Sequence, residues 1–279
     1  MSDIVIKIKN SLIQHGKENN RIYLMKLCED DITEIIPELN NIALKYKYTK
    51  IFAKVPKCTE QYFLNDNYVI EASIPKFYKG KEDALLIAKY FSSERNISLD
   101  KEKNLLILET ALKKIKIQEE LNLKEGFYFK KIQPQHAEKL TKLYQKIFIT
   151  YPFPINNPDY ILKTMQENIE YFAIWQENEI IAAASSEIDM KEQNVEMTDF
   201  AILPEYRGND FAIYLLKKME EKMKEYNVKT FYTIARALSY GMNIAFSKMG
   251  YIFSGTLINN TNICGSLESM NVWYKNSSS

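Results

Sequence analysis

One stretch constrains the fold more than any other: Val195–Met219, VEMTDFAILPEYRGNDFAIYLLKKM. An alternating apolar run ends at Leu203 and Pro204 stops it. A turn through Arg207 and Gly208 then leads into an amphipathic helix, with Phe211, Leu215, Met219 and Met223 stacked at i+4 spacing. A strand, a tight turn and a helix in that order aim unpaired backbone N–H groups, and the positive end of the helix, at one point. An anion fits there, and Arg207 adds to the attraction.

The surrounding pattern reads as strand 127–132, helix 135–149, a proline-broken loop Tyr151–Pro158 and a short helix 159–168. Strands 171–176, 179–188 and 194–203 follow, the first two joined by a turn at Asn178. Beyond helix 211–226 come strand 229–235, helix 240–249 and strands near 251–259 and 267–275. This is an α/β (α+β) arrangement with a mixed central sheet flanked by helices. The first part reads as strands near 3–9 and 21–27, helix 31–46, strand 49–54, helix 58–64, strand 67–72 and helix 81–91, with a helical bridge over 105–121. Gly126 punctuates. The expected division is an N-terminal α/β domain over 1–125, a second domain over 126–276, and a flexible tail at 277–279. The run 49–91 echoes 229–275 in element order, which makes the first domain a half-unit whose glycine turn is missing before the helix at 31.

Composition narrows the function classes. The chain has 279 residues, 46% of them apolar and 26% charged, enough for a sizeable core. Lys+Arg 37 against Asp+Glu 36 gives no broad basic face for nucleic acid. No apolar run approaches the ~20 residues that cross a bilayer, and Met-Ser-Asp does not open a secretory leader. Cys28, Cys58 and Cys264 are scattered, and His15 and His136 are the only histidines. A metal site and a Ser/Cys–His nucleophile are therefore not expected. The expected setting is cytoplasmic, without a membrane, with a homodimer as an allowed assembly.

The turn after Leu203 resembles motif A of the GNAT superfamily of N-acetyltransferases, the Gln/Arg-x-x-Gly-x-Gly/Ala loop that holds the coenzyme A pyrophosphate. Arg207 matches its first position and Ala212 its last. SYGMNIAFSKMGY (Ser239–Tyr251) resembles motif B, and together they cover roughly 126–276. TIARALSYGMN (Thr233–Asn243) and GTLINNTNICGSLESMNVWYK (Gly255–Lys275) bring the chain closer to the β-lysine N-acetyltransferases. That resemblance implies acetyl-CoA as co-substrate, a small-molecule amine as acceptor and a compatible solute, Nε-acetyl-β-lysine, as product, which would tie the chain to osmoadaptation. Another amine or a protein lysine as acceptor, and a non-catalytic acyl-CoA-binding module, are the competing readings.

The same resemblance implies the site. A protonated amine must lose a proton before it attacks a thioester. Glu196 stands at the general-base position, with Asp199 as an alternate base or an ammonium anchor. Strict alternation puts Glu196, Thr198, Phe200 and Ile202 on one face and Asp199 on the other, unless a bulge shifts the phase. Phe200, Ile202, Arg207, Gly208, Asn209, Asp210, Phe211 and Ala212 form the cofactor segment. Asp210 departs from the family's central glycine, as a helix cap or as a charge opposing the pyrophosphate. Phe246 replaces the family's tyrosine acid, so Tyr240 or water would protonate the thiolate, or it leaves unprotonated. The acceptor site falls on Asn259, Asn260, Asn262 and Glu268, with Arg236 as partner for the acceptor's carboxylate. The stripe Tyr144/Phe148/Tyr151/Phe153 is its candidate roof.

Overall fold

Two strand–helix–strand crossovers with the same order of elements organise the chain. The computed structural model describes residues 3–117 and 120–277; Met1, Ser2, positions 118–119 of the expected bridge helix and Ser278–Ser279 of the expected tail lie outside the described residues. In the first part, β1 (Ile4–Ile8), β2 (Ser11–Gly16) and β3 (Arg21–Lys26) form an antiparallel meander. Helix α1 (Ile32–Tyr46) crosses to β4 (Lys50–Pro56), parallel to β3. Helix α2 (Glu60–Leu64) leads to the hairpin β5 (Val69–Tyr78) and β6 (Glu82–Tyr90), whose second strand inserts between β4 and β5. Helix α3 (Lys101–Leu112) leads to the second part, which opens with β7 (Phe127–Lys131), α4 (Ala137–Ile147) and α5 (Pro158–Glu167).

The scheme then repeats. β8 (Ile169–Gln176), β9 (Glu179–Asp189) and β10 (Asn194–Ile202) form a meander, and α6 (Phe211–Glu225) crosses to the parallel β11 (Thr230–Arg236). α7 (Tyr240–Lys248) leads to the hairpin β12 (Ile252–Ile263) and β13 (Ser266–Asn276), and β13 inserts beside β11. Among the described residues the strands form one sheet ordered β1-β2-β3-β4-β6-β5-β12-β13-β11-β10-β9-β8-β7. The echo between 49–91 and 229–275 is therefore topological as well as linear.

Three expectations change. Residues 81–91 form β6, not a helix. Ala84–Ala88 are all buried between β4 and β5, and a short run apolar on both faces has no period that separates a central strand from a buried helix. The bridge helix is α3, beginning four residues earlier than expected, at Lys101, and ending at Leu112. β2 was not foreseen, because SLIQHG carries too little alternation to announce a strand.

The apolar stripe of α6 does what its spacing predicts. Phe211, Leu215, Leu216, Met219 and Met223 bury against Val195, Met197 and Phe231 of the sheet. Helix α4 covers the opposite face with Leu140, Leu143 and Tyr144. Tyr23, Phe52 and Phe77 join Tyr232, Leu257 and Met270 in an apolar cluster that spans both halves.

The seam between the halves is a single bridge, Gly255 to Ala72. Gly255 has φ +152, and a Cβ there would lie 2.1 Å from the Glu71 carbonyl oxygen, so only glycine fits. Next to it, side-chain cations replace the missing ladder. Lys50 Nζ donates to Ile258 O at 2.8 Å, Arg95 Nε to Asn259 O at 2.8 Å, and Arg21 Nη1 to Asn260 O.

Candidate active site

β10 and β11 pair only over Asn194–Glu196 and Thr230–Tyr232, and then part. Beyond Glu196 the β11-facing edge of β10 has no strand partner. The opened wedge belongs to a cavity of about 1810 Å³ that extends from the α6 turn to the seam. That exceeds an ordinary small-ligand pocket and suits a long co-substrate together with an acceptor.

At its mouth, the N–H groups of Phe211, Ala212 and Ile213 precede the first intrahelical bond of α6, Tyr214 N–H to Asp210 O at 2.9 Å. These three residues, Arg207, Gly208 and Asp210 all line the cavity. The ring of Phe211 is in the core, only 4% exposed, so only its backbone can serve a ligand. Asn209 turns its Nδ2 back to Tyr206 O at 3.0 Å and closes the loop on itself. Asp210 sits in left-handed backbone, φ 55, which explains a glycine preference at this place. Its carboxylate is exposed and makes no cap hydrogen bond, so the capping role expected of it is not formed.

A bulge places the two carboxylates of β10. Thr198 pairs with Ser185 and Ala201 with Ala183, and Asp199 between them takes φ 54. Before the bulge, Val195 and Met197 enter the α6 core; after it, Ala201 enters the core on the opposite face. Glu196 and Asp199 therefore share a face, while Phe200 and Ile202 turn toward the α6 side. This corrects strict alternation. Phe200 meets Phe246 edge-on at 5.7 Å.

Glu196 lies across from Glu187 on one side and Tyr232 on the other. Burial, reinforced by the Glu187 charge, pushes its carboxyl up to about 7, against Lys54 and a hydrogen bond from Tyr232. Burial also raises Glu187 and Asp199. Both Asp199 oxygens are engaged: the Tyr151 hydroxyl donates to one and Ser185 Oγ to the other at 2.5 Å. Burial works against the charge of Lys54, but Tyr23, Glu196, Glu187 and Asp189 outweigh it and raise its pKa; its Nζ donates to the Tyr232 hydroxyl at 3.0 Å.

Several expected residues have other work. Tyr240 opens α7 with 42% exposure and does not line the cavity, whereas Phe246 is fully buried and does. Arg236 holds Glu268 through two bonds, 2.9 and 2.6 Å, and so spends its charge there. Asn259 donates to Arg95 O and Ile97 O, and Asn262 Nδ2 donates to Glu18 O. The polar run of β12 is thus mainly the seam. Asn260 remains at the cavity, with its Oδ1 unpartnered.

Sequence reasoning missed Arg21, Tyr23, Phe52 and Lys54, which wall the cavity from the first half. A signal existed. KIFAKVP places Lys50, Phe52 and Lys54 at i, i+2 and i+4, and RIYLMK places Arg21 and Tyr23 at i and i+2, a pattern that puts charge on one face of a strand and calls for explanation when that strand is central.

The Acetyltransferase (GNAT) family matches residues 137–251. The chain is 44% identical over 271 residues to the Beta-lysine N(6)-acetyltransferase of Methanococcus maripaludis, covering 97% of this chain and 98% of that protein. It is 32% identical over 260 residues to the Beta-lysine N(6)-acetyltransferase of Methanosarcina mazei, covering 86% and 96%. Among solved structures, the ribosomal-protein-S18-alanine N-acetyltransferase from Escherichia coli aligns with TM-score 0.48 and 13% identity, over 55% of this chain and 95% of that one.

Proposed function

The chain belongs to the GNAT family of acetyltransferases, and from that premise we propose that it acetylates the ε-amine of β-lysine to give Nε-acetyl-β-lysine. It is an N-acetyltransferase with acetyl-CoA as co-substrate. The observation that carries the acceptor assignment is near-full-length similarity to two proteins of that activity. The cavity supports it: Glu187 and Glu196 gather near one half-buried ammonium, Lys54, with Asp199 on the same face, which suits an acceptor carrying two amines. Acetylation removes one positive charge from β-lysine and leaves a net-neutral zwitterion, the character of a compatible solute.

In this reading the pyrophosphate rests on the free N–H groups of the α6 turn with Arg207, and the pantetheine runs along the open edge of β10 near Phe200 and Ile202. An aliphatic ammonium ordinarily titrates near ~10.4. Glu196, poised about 7, takes its proton directly or through a water. The free amine attacks the thioester carbonyl, the C–N bond forms, and the C–S bond breaks to release thiolate. A free thiol titrates near ~8.5, so the thiolate can leave and take, through water, the second proton that the acylated nitrogen sheds. That suits a cavity where Phe246 stands in place of a hydroxyl.

The expected result in a free-thiol assay is kcat/KM for β-lysine on the order of 10-fold or more above that for α-lysine, because a displaced ammonium leaves buried carboxylates unpaired. Equal rates, or brisk turnover on a lysine peptide alone, would overturn the acceptor assignment.

Asp210→Gly tests the cofactor turn. The exposed carboxylate opposes the anion but caps nothing. The variant should bind acetyl-CoA roughly two- to five-fold tighter, the scale of a charge at a helix N-terminus. It should melt no earlier than wild type, since glycine accepts left-handed backbone freely. Calorimetric titration beside a thermal melt checks both; an earlier melt with unchanged affinity contradicts the geometry.

A further inference from the structure

Arg21 is buried to 4% exposure, and among the described residues no carboxylate pairs with it. Its Nη1 is pinned by Asn260 O and by Thr261 Oγ1 at 3.1 Å. Its guanidinium lies 5.4 Å from the ring centre of Tyr23 and 5.7 Å from that of Phe52. These contacts fix the plane of the group and leave one edge idle. Among the described residues Nε has no partner, and no hydrogen bond reaches Nη2.

The nearest carboxylates are occupied elsewhere. Glu71 takes Lys50 Nζ at 2.8 Å and Ile258 N–H at 2.7 Å. Asp3 takes Glu18 N–H and Asn19 Nδ2. Three buried cations, Arg21, Lys50 and Arg95, therefore meet at the seam, and Glu71 is ion-paired with Lys50 alone. Of the three, Arg21 lines the cavity. A buried guanidinium without a counter-ion is costly, and the idle Nε–Nη2 edge is the fork that binds a carboxylate side-on.

We infer that Arg21 receives the carboxylate of the amino-acid acceptor, so that the first half of the chain supplies the specificity residue while the second half supplies the chemistry. The inference rests on the acceptor reading above. It also replaces Arg236, whose fork is already filled by Glu268. Asn260 sits beside the same space with its Oδ1 free, placed to accept from the ammonium next to that carboxylate in a β-amino acid.

The test compares β-lysine with 1,4-diaminopentane, the same diamine without its carboxylate, in wild type and in Arg21→Met and Arg21→Lys. Wild type should strongly prefer β-lysine. In Arg21→Met, KM for β-lysine should rise at least roughly 30-fold, the scale for losing one partner of a buried charge pair. kcat should change far less, and the preference over the diamine should collapse. Arg21→Lys should recover part of it, since lysine keeps the charge but not the fork. Acetyl-CoA affinity by calorimetry reports that each variant is folded.

A wild-type KM for β-lysine in Arg21→Met overturns the inference. So does equal loss on both acceptors with acetyl-CoA binding intact, which would mark Arg21 as structural only. If wild type rejects β-lysine but accepts α-lysine, the acceptor reading fails alone. The Arg21 assignment is then decided by the same ratio with α-lysine and cadaverine, its decarboxylated counterpart.

Discussion

Glu196→Gln should lower kcat near neutral pH by a factor on the order of 10² or more, the usual scale for a lost general base, and should also make the protein harder to melt in mild alkali. Both follow from one carboxyl. In the wild type, kcat/KM should climb with pH through about 7 as Glu196 ionises. The variant's deficit should shrink at high pH, where free amine is abundant. The folded-state value is raised above the ordinary ~4.3. The neutral form's contribution to stability is therefore complete below that value and lost as pH rises through about 7. Glutamine never ionises. The variant should match wild type at pH 4 and exceed it at pH 8, by at most about 4 kcal/mol. Scanning calorimetry at the two pH values, beside initial rates, reads both effects. Wild-type turnover in Glu196→Gln, with Asp199→Asn inactive, would move the base to Asp199. The geometry speaks against that, because Tyr151 and Ser185 already occupy both Asp199 oxygens.

The largest stability effect should come from Gly255→Ala. The new methyl would meet the Glu71 carbonyl at 2.1 Å and the Ala72 Cα at 2.9 Å, both backbone atoms, at φ +152. Neither can swing aside, so the two halves must separate or the strand must twist. A cost of about 3–5 kcal/mol follows, a drop in Tm of roughly 6–10 °C for a chain of this size. Gly265→Ala is the control: its φ is +89, but nothing lies within 4 Å, so about 1 kcal/mol of backbone strain is expected. If Gly255→Ala melts within a degree of wild type, the close approach at the seam is not what holds the halves in register.

What the sequence revealed, and what it hid, divides by the range of the interactions. The strand, turn and helix through Arg207, Gly208 and α6 are local, and their apolar spacing and punctuation are written in consecutive residues. The face that Glu196 takes could be read because the alternation holds up to Thr198. Asp199 could not, since a bulge is a choice of backbone that Asp permits but does not require. The Asn-rich run of β12 reads as a ligand site on polarity alone. Its partners Glu18, Arg95 and Ile97 lie more than 160 residues away, and nothing local announces them. β6 shows the same limit in another form: buried on both faces, it loses the alternation that identifies a strand.

The three cations along β12 carry a consequence for what that strand edge can pair with. A strand that meets its neighbour at one bridge presents open carbonyls, and an open edge invites pairing with another molecule. Lys50, Arg95 and Arg21 close Ile258, Asn259 and Asn260 in turn, and they do so with groups that offer donors but no acceptors. An incoming strand would find neither a ladder to extend nor room to displace a buried charge. Cut at Gly126, the second half would keep the turn before α6 and lose this guard. The isolated fragment would hold a bare, apolar-flanked edge, better suited to aggregation than to turnover.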